Sequence, residues 1–369
     1  MKQFLYKIYE PDGTFIRTLP IKIPVSPTTS DELVLNTPTI TRSINGGGGE
    51  LIINLDTKFD DFDEGVSIKN GNLLKLYVVS DDQPKGKILF NGIIQSYRPY
   101  LRSSSEGVNI IVLSKVTELQ QDFYRSAGSR TFTKSSIKAS DLFKDIIDEF
   151  QSVYTNSDIA YTVGSVEDSG VVITYSFDND TSFEAIEASR NVAPAGWWWR
   201  IEPDGTATFK SKPASATYTL VSGVYSDIAE VELDKSMEDI KNNLLLKWSG
   251  GTTQFQDATS RTNYGTRSIL IDKSAEITTT GTRDYWGNAY ISENKDYKNR
   301  VYSPIIINNS FEYIEDILPG DTIKVLGFKK GQSPFVDNMQ IVKTVYNGTI
   351  MKLTLSKDNL NFAEQIRLA

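Results

Sequence analysis

Two side chains that carry much of enzyme chemistry are missing from this chain. Its 369 residues include no histidine and no cysteine. The commonest general acid–base and metal ligand is therefore absent, and so is any thiolate nucleophile. A Ser-His-Asp triad, a zinc protease centre and a facial-triad iron site cannot be built, and disulfides are excluded. The chemistry left is that of carboxylate pairs, as in glycoside hydrolysis. With 47 acidic residues, pairs can be drawn anywhere, and no spacing singles one out. The densest acidic run is Asp60-Asp61-Phe62-Asp63-Glu64. Phe62 breaks the alternation of oxygen ligands that a calcium loop needs, so the run reads as a solvated loop. Asp178-Asn179-Asp180-Thr181 also offers several oxygens, but it stands directly before a helical pattern, where such residues cap free N–H groups. The glycines 46–49 lack the Gly-Lys-Ser/Thr ending of a phosphate loop and read as a turn. Trp197-Trp198-Trp199 could stack on sugars. In a strand, however, 197 and 199 point one way and 198 the other, so at least one face belongs to a core. No residue is assigned a catalytic, cofactor-binding or metal-binding role.

Composition narrows the class further. The chain is 39% hydrophobic and 11% aromatic, enough for two or three folded domains. Its formal charge is −8, with both signs mixed along the sequence. No Lys/Arg cluster interleaved with aromatics occurs, so no sequence-specific nucleic-acid binding is expected. Met1-Lys2-Gln3-Phe4-Leu5-Tyr6-Lys7 lacks the apolar run of a signal peptide, and no stretch approaches the roughly 20 apolar residues of a membrane helix. Synthesis and folding in the cytoplasm, with no integral membrane segment, are the expectation.

The elements that must position these residues are mostly strands. Phe4 to Tyr9 and Phe15-Ile16 flank the turn Pro11-Asp12-Gly13-Thr14, and Glu50 to Leu55 alternates as a half-buried strand does. Ser140 to Phe150 has apolar residues at 142, 143, 146, 147 and 150, which is helical spacing. Thr181-Ser182-Phe183-Glu184 is a capping-box pattern opening a second helix towards Val192. Trp197 to Ile201, the turn at Pro203-Asp204-Gly205 and Thr206 to Phe209 read as a hairpin. Strands are expected at Asn243 to Trp248 and Ile269 to Ile271, and Trp286, Tyr290 and Tyr297 suggest a short helix over 284–298.

Two stretches far apart look like copies of one β-unit. The first runs Gly71-Asn72-Leu73-Leu74-Lys75-Leu76, then Gly92-Ile93-Ile94, then Val108 to Val112-Leu113-Ser114-Lys115. The second runs Gly320-Asp321-Thr322-Ile323-Lys324-Val325, then Gln340-Ile341-Val342, then Ile350 to Thr354-Leu355-Ser356-Lys357.

With its helix-then-hairpin unit at 181–206, its asparagine-led strand Ile240-Lys241-Asn242-Asn243-Leu244-Leu245-Leu246-Lys247-Trp248 and its Ser260-Arg261-Thr262-Asn263-Tyr264-Gly265-Thr266-Arg267 stretch, the chain resembles the tail hub (baseplate-hub or tail-tip) proteins of long-tailed bacteriophages and related contractile injection systems. The resemblance spans almost the whole sequence and rests on the order of these patterns. It implies a mainly β fold with an α+β insertion: two tube-type β-barrels related by duplication, the first over 1–120 and the second over 226–250 and 299–369. The α+β insertion would cover 121–225, and a small insertion 251–298. It implies a homotrimer whose two barrels per subunit match a threefold tip to a sixfold tail tube. Its partners would be a distal tail or tail tube protein on one side and a tip, spike or fibre protein on the other, in a virion tail. The role implied is that of a structural protein without enzymatic activity or cofactor, enclosing a channel for DNA or effectors. Many such hubs continue into a lysozyme, peptidase or spike domain. Here the sequence stops at Leu368-Ala369, so puncturing or wall degradation is expected from another polypeptide. Two other readings stand beside this one: a carbohydrate-binding or adhesive module displaying the tryptophan hairpin, and a glycosidase using two carboxylates.

Overall fold

The computed structural model describes residues 3–20, 34–35, 38–45, 49–56, 69–80, 83–102, 105–170, 172–194, 196–221, 228–230, 233–236, 240–275, 277–296, 298–301, 305–308, 314–326 and 336–356. The acidic run Asp60 to Glu64, the glycines 46–48 and Tyr297 lie outside these residues.

The first part of the chain supplies β1 (Gln3–Tyr9), β2 (Phe15–Pro20), β3 (Val34–Leu35), β4 (Thr39–Ser43), β5 (Glu50–Asp56), β6 (Leu73–Ser80), β7 (Gln83–Arg102) and β8 (Ser105–Ser114). Next come α1 (Val116–Gln121), β9 (Thr131–Lys138), α2 (Ala139–Val153), β10 (Val172–Asp178), α3 (Ser182–Val192), β11 (Trp197–Ile201) and β12 (Ala207–Ser211). The chain then forms β13 (Tyr218–Val221), β14 (Ile228–Glu230), β15 (Leu233–Ser236), β16 (Asn243–Trp248), β17 (Gly251–Gln256), α4 (Ala258–Tyr264), β18 (Ser268–Asp272) and α5 (Thr280–Asn294). It closes with β19 (Lys298–Val301), β20 (Ile305–Asn308), β21 (Thr322–Leu326), β22 (Val336–Tyr346) and β23 (Ile350–Ser356).

The molecule is mainly β, as the sequence predicts. Fourteen strands join into one sheet whose main path is β14-β20-β23-β22-β4-β5-β8-β7-β6-β1-β2. Among the described strands this path is open at both ends, so the two expected barrels do not close. They are joined instead through the ladder between β4 and β22. One apolar core runs along the whole sheet, from Tyr6, Leu74 and Ile110 in one half to Ile323, Ile341 and Leu353 in the other.

The two similar stretches form antiparallel meanders of matching geometry. In the first, Leu73 lies opposite Ile93 and Leu74 opposite Gly92; in the second, Thr322 lies opposite Gln340 and Ile323 opposite Met339. Just before each first strand, Gly71 N donates to Ile94 O (2.8 Å) and Ile94 N to Asn72 O (2.9 Å). The same pair recurs as Gly320 N to Ile341 O (2.7 Å) and Ile341 N to Asp321 O (2.8 Å). Gly71 and Gly320 both have positive φ, +93° and +103°, which only glycine adopts without strain. A β-bulge follows at once in each copy, between Ile94 and Ser96 and between Ile341 and Lys343. The third strands match one residue away from the sequence reading. Ile94 faces Val112 and Ile341 faces Leu355, so Val112, not Leu113, stands where Leu355 does. Side-chain alternation explains the shift. Val112 and Leu355 are both buried in the core, whereas Leu113 lies on the other face.

The α+β unit between the meanders has its own core. Leu142, Phe143, Ile146, Ile147 and Phe150 of α2 pack with Ile186 of α3 and with Trp197, Trp199 and Phe209 of the hairpin β11–β12. α2 begins at Ala139, one residue before the expected start. Ser140 is inside it, its hydroxyl accepting from Ser169 N at 3.3 Å. α3 opens as expected: Glu184 N donates to Thr181 Oγ1 (3.2 Å), and Thr181 N donates to Glu184 Oε2 (2.8 Å). The strand Asn243–Trp248 pairs with β17 and β18 in a separate three-stranded sheet. There Leu244 and Leu246 pack with Trp286 and Ile291 of α5. α5 spans Thr280–Asn294, about one turn earlier than expected, because Thr279 caps it by accepting from Thr282 N at 3.2 Å. Replacing Thr181 with Ala removes one half of the capping box, and a loss of about 1 kcal/mol is expected in urea unfolding. An unchanged midpoint would show that the cap is dispensable.

Candidate functional site

The place where most of the fold meets is the seam between the meanders. β4 lies between β5 and β22, with Ser43 opposite Lys343, Arg42 opposite Thr344, Thr41 opposite Val345 and Ile40 opposite Tyr346. Ile44 N extends the ladder to Val342 O at 3.1 Å. Asn45 then turns the chain with φ +53°, a left-handed conformation that asparagine tolerates better than most residues. It is fully buried and grips β11 at two points: Asn45 N donates to Trp199 O (3.0 Å), and Trp199 N donates to Asn45 Oδ1 (3.1 Å). One side chain thus acts as a strand neighbour for the α+β unit.

Trp198 fills the seam from that unit. It packs on Ile44 and Val342, and its indole N–H donates to Ser211 O at 3.3 Å. The Arg200 guanidinium lies 5.0 Å from the Trp198 ring centre, donates to Glu202 Oε1 (2.7 Å) and also bonds Pro319 O. Three segments distant in sequence are thereby pinned together. Arg42 is buried beside this group and donates to Leu89 O. Burial, with the nearby Arg200 charge, pulls its guanidinium down to about 10. Burial likewise raises the Asp321 carboxyl, against the pull of Arg200.

A second anchor ties the α+β unit to the first meander. Asp158 accepts from Lys75 Nζ (3.1 Å) and Asn91 Nδ2 (2.9 Å), with Lys115 Nζ at 3.5 Å. Burial works to raise its carboxyl, but Lys115, Asn91 and Lys75 together hold it below the ordinary carboxylate range. Across the seam, Lys87 pairs with Asp316.

The open cleft here, lined among others by Phe90, Lys115 and Trp199, has about 40 Å³ that admits a water-sized sphere. Beside it, a second opening lined among others by Arg42, Lys87, Glu202 and Glu315 has about 360 Å³ that admits such spheres. Among the described residues no group of acidic side chains could hold a metal. Asp178, Asn179 and Asp180 are engaged locally: Asp178 N donates to Asp180 Oδ2 (2.8 Å) and Asn179 Nδ2 to Asp178 Oδ1 (2.9 Å), ahead of the Thr181 cap. The three tryptophans are 7%, 3% and 0% exposed. Residues 197 and 199 enter one core and 198 the other, so both faces of the hairpin are covered. Sequence reading brought out the tryptophans and the repeated glycines. It missed Arg42, Asn45, Asp158 and Arg200, whose partners lie 47 to 154 residues away. The only local signal was an asparagine ahead of glycines.

No known family model matches the chain, and no curated protein does. Solved structures do match. The 43 kDa tail protein of prophage MuSo2 from Shewanella oneidensis aligns over 97% of this chain and all of its own, with TM-score 0.63 at 12% identity. A tail protein from Neisseria meningitidis aligns over 96% of both chains with TM-score 0.61 at 11% identity. Prophage tail protein gp18 from Listeria monocytogenes covers 99% of this chain and 97% of its own, with TM-score 0.59 at 10% identity. The chain therefore has the fold of phage tail proteins, over its full length.

Two outcomes test the seam. A Cβ on Gly320 would stand 2.6 Å from the Trp198 ring, whereas one on Gly71 meets nothing within 4 Å. Both have positive φ, so Gly71→Ala should cost about 1 kcal/mol and Gly320→Ala about 2–4 kcal/mol more in denaturant unfolding. Equal costs would contradict the packing. Asp158 ionises more readily when folded than the unfolded value of about 3.9. Its stabilisation is therefore complete above that value and is lost as pH falls through the lower, folded value. Asp158→Asn should flatten the acid limb of the stability profile below about pH 4. An unaltered limb would count against this anchor.

Proposed function

We propose that this protein is a structural, non-enzymatic subunit of a phage or phage-like tail, and within it the hub: a homotrimer that joins a sixfold tail tube to a threefold tip around a channel. The observation that carries the reading is the repeated meander. The same glycine clamp, the same bulge and the same inward register occur twice in one chain, and the two copies are fused edge to edge through β4 and β22. A subunit with two equivalent halves turns three chains into six similar positions, which is the mismatch a hub has to resolve. The shared fold of three tail proteins supports the setting. The domain division is proposed in the same terms: two tube-type domains descended from one, an α+β insertion between them and a small insertion within the second. The partners would be a tail tube or distal tail protein above and a tip, spike or fibre protein below, in the virion tail. The net charge of −8 suits a channel that passes nucleic acid without holding it. The adhesive reading loses its basis, because no face of the tryptophan hairpin is open to a sugar.

Light scattering of the purified chain over a range of concentrations tests this. A mass of three chains, with ring-shaped particles in electron micrographs, is the expected result. A strict monomer at every concentration, alone and with tail tube protein, would overturn the hub assignment.

A further inference from the structure

One strand of the seam carries a charge where its alternation calls for an apolar residue. Along β4, Ile40, Arg42 and Ile44 are buried, whereas Thr39, Thr41 and Ser43 between them are half-buried. The strand's own period thus drives the Arg42 guanidinium into the interior. There Nη2 donates to Leu89 O, and Nε has no hydrogen-bond partner among the described residues. Among those residues no carboxylate lies within ion-pair distance of Arg42 either. Glu202 acts on it from further away, but its Oε1 is committed to Arg200 Nε (2.7 Å) and Thr208 Oγ1 (3.2 Å). Asp316 is committed to Lys87. Burial first, and the Arg200 charge after it, lower the Arg42 guanidinium to about 10, which reflects the same shortage of negative charge. A buried cation without a counter-charge is costly, and its persistence calls for a physical reason.

Two openings meet at this side chain. The narrow cleft of about 40 Å³ and the wider opening of about 360 Å³ share Arg42, Glu202, Pro203 and Leu318 in their walls. Three buried polar atoms without a hydrogen-bond partner among the described residues belong to the lining of the narrow cleft: Arg42 Nε, Ser114 Oγ and Asn91 Oδ1. The first two can donate to an anion, and the third can accept from a water beside it. A carboxylate has three heavy atoms and takes roughly the room of a few waters, which is what the narrow cleft offers.

The wider opening has space for main chain. Its walls carry both signs, Arg42 and Lys87 against Glu202, Asp204 and Glu315. Those acids disfavour a dianion such as phosphate. A planar monoanion suits the guanidinium fork and the mixed charge around it.

We infer that the two openings form one binding site for an acidic side chain of a partner polypeptide, whose aspartate or glutamate carboxylate enters the narrow cleft and pairs with Arg42 while its main chain lies in the wider opening. Ser114 is the second donor in the cleft wall. Neither cation near Arg42 competes for the incoming carboxylate, because Lys87 and Arg200 already have acids of their own. The site belongs to a single chain, so it stands whether or not copies assemble into a ring.

The test uses the full chain in a buffer free of carboxylates, at constant ionic strength. N-acetylglutamate amide is the probe, and N-acetylglutamine amide, acetate and phosphate are compared with it. A ligand that binds only the folded chain raises the urea midpoint in a saturable way. The expected result is such a rise with the glutamate amide, none with the glutamine amide or phosphate, and a smaller one with acetate. Arg42→Met, which keeps much of the volume and removes the charge, should abolish the rise, and Ser114→Ala should weaken binding several-fold. If Arg42→Met does not fold, Ser114→Ala carries the comparison, together with broadening of a carbon-13 label in the probe carboxylate by the native chain. No midpoint rise and no broadening with the native chain, or an equal response to the glutamine amide, overturns the inference. A larger response to phosphate overturns the carboxylate assignment. A response to acetate as large as to the glutamate amide overturns the polypeptide source, since a free carboxylate would then suffice.

Discussion

Everything in this structure leans on one short ladder, the four residue pairs between β4 and β22. Without it the chain would hold two separate sheets, and the single apolar core along them would be cut in two. A ladder of that length is weak by itself, because backbone hydrogen bonds replace bonds to water and each nets about 1 kcal/mol. Its stability comes from what lies across it. Trp198 packs on Ile44 and Val342, Arg200 reaches Pro319, and Asn45 holds β11 with two hydrogen bonds. The α+β unit thus acts as a clasp over the joint.

That arrangement gives the tryptophan run its purpose. Three consecutive indoles suggest a binding platform until the hairpin is placed between two cores. Strand alternation sends Trp197 and Trp199 into the core of the α+β unit and Trp198 into the seam. Trp198, in the run that looked most ligand-like, is packed against Ile44 and Val342 at the seam. The buried charges serve the same end. Arg42 and Arg200 sit close enough for like-charge repulsion to register, and Glu202 and backbone carbonyls keep both hydrogen-bonded.

The near-symmetry of the two halves is incomplete in an instructive way. The first strand of the first meander has antiparallel β1 beside it, whereas β21 has parallel β13. The β4–β5 hairpin of the first half is contiguous, whereas β15 and β19 of the second are separated by the small sheet and its helix α5. Gly71 faces open space where Gly320 faces Trp198.

Much of this was legible in the sequence because it depends on local periodicity. Glycine ahead of an alternating apolar run marked both meanders, the 142, 143, 146, 147, 150 spacing marked α2, and Thr181 with Glu184 marked the start of α3. The absence of histidine and cysteine settled which chemistries could not occur. Element ends were less legible. α5 starts at a threonine cap that its aromatic residues do not reveal, and the third strands of the repeats match one residue away from their most similar letters. In that last case core-facing alternation outweighs sequence likeness, since a slip of one residue would turn every apolar side chain outward. Only the tertiary structure decided the seam. Asn45 and Trp199 are 154 positions apart and Arg200 and Pro319 are 119 apart, and no local pattern records a bond across such distances. The sequence by itself determined the main strands, their faces and the histidine- and cysteine-based sites that cannot be built, because those follow from side-chain type and period. Which strands become neighbours was decided by how two similar sheets meet, because pairing depends on what lies beside a strand in space.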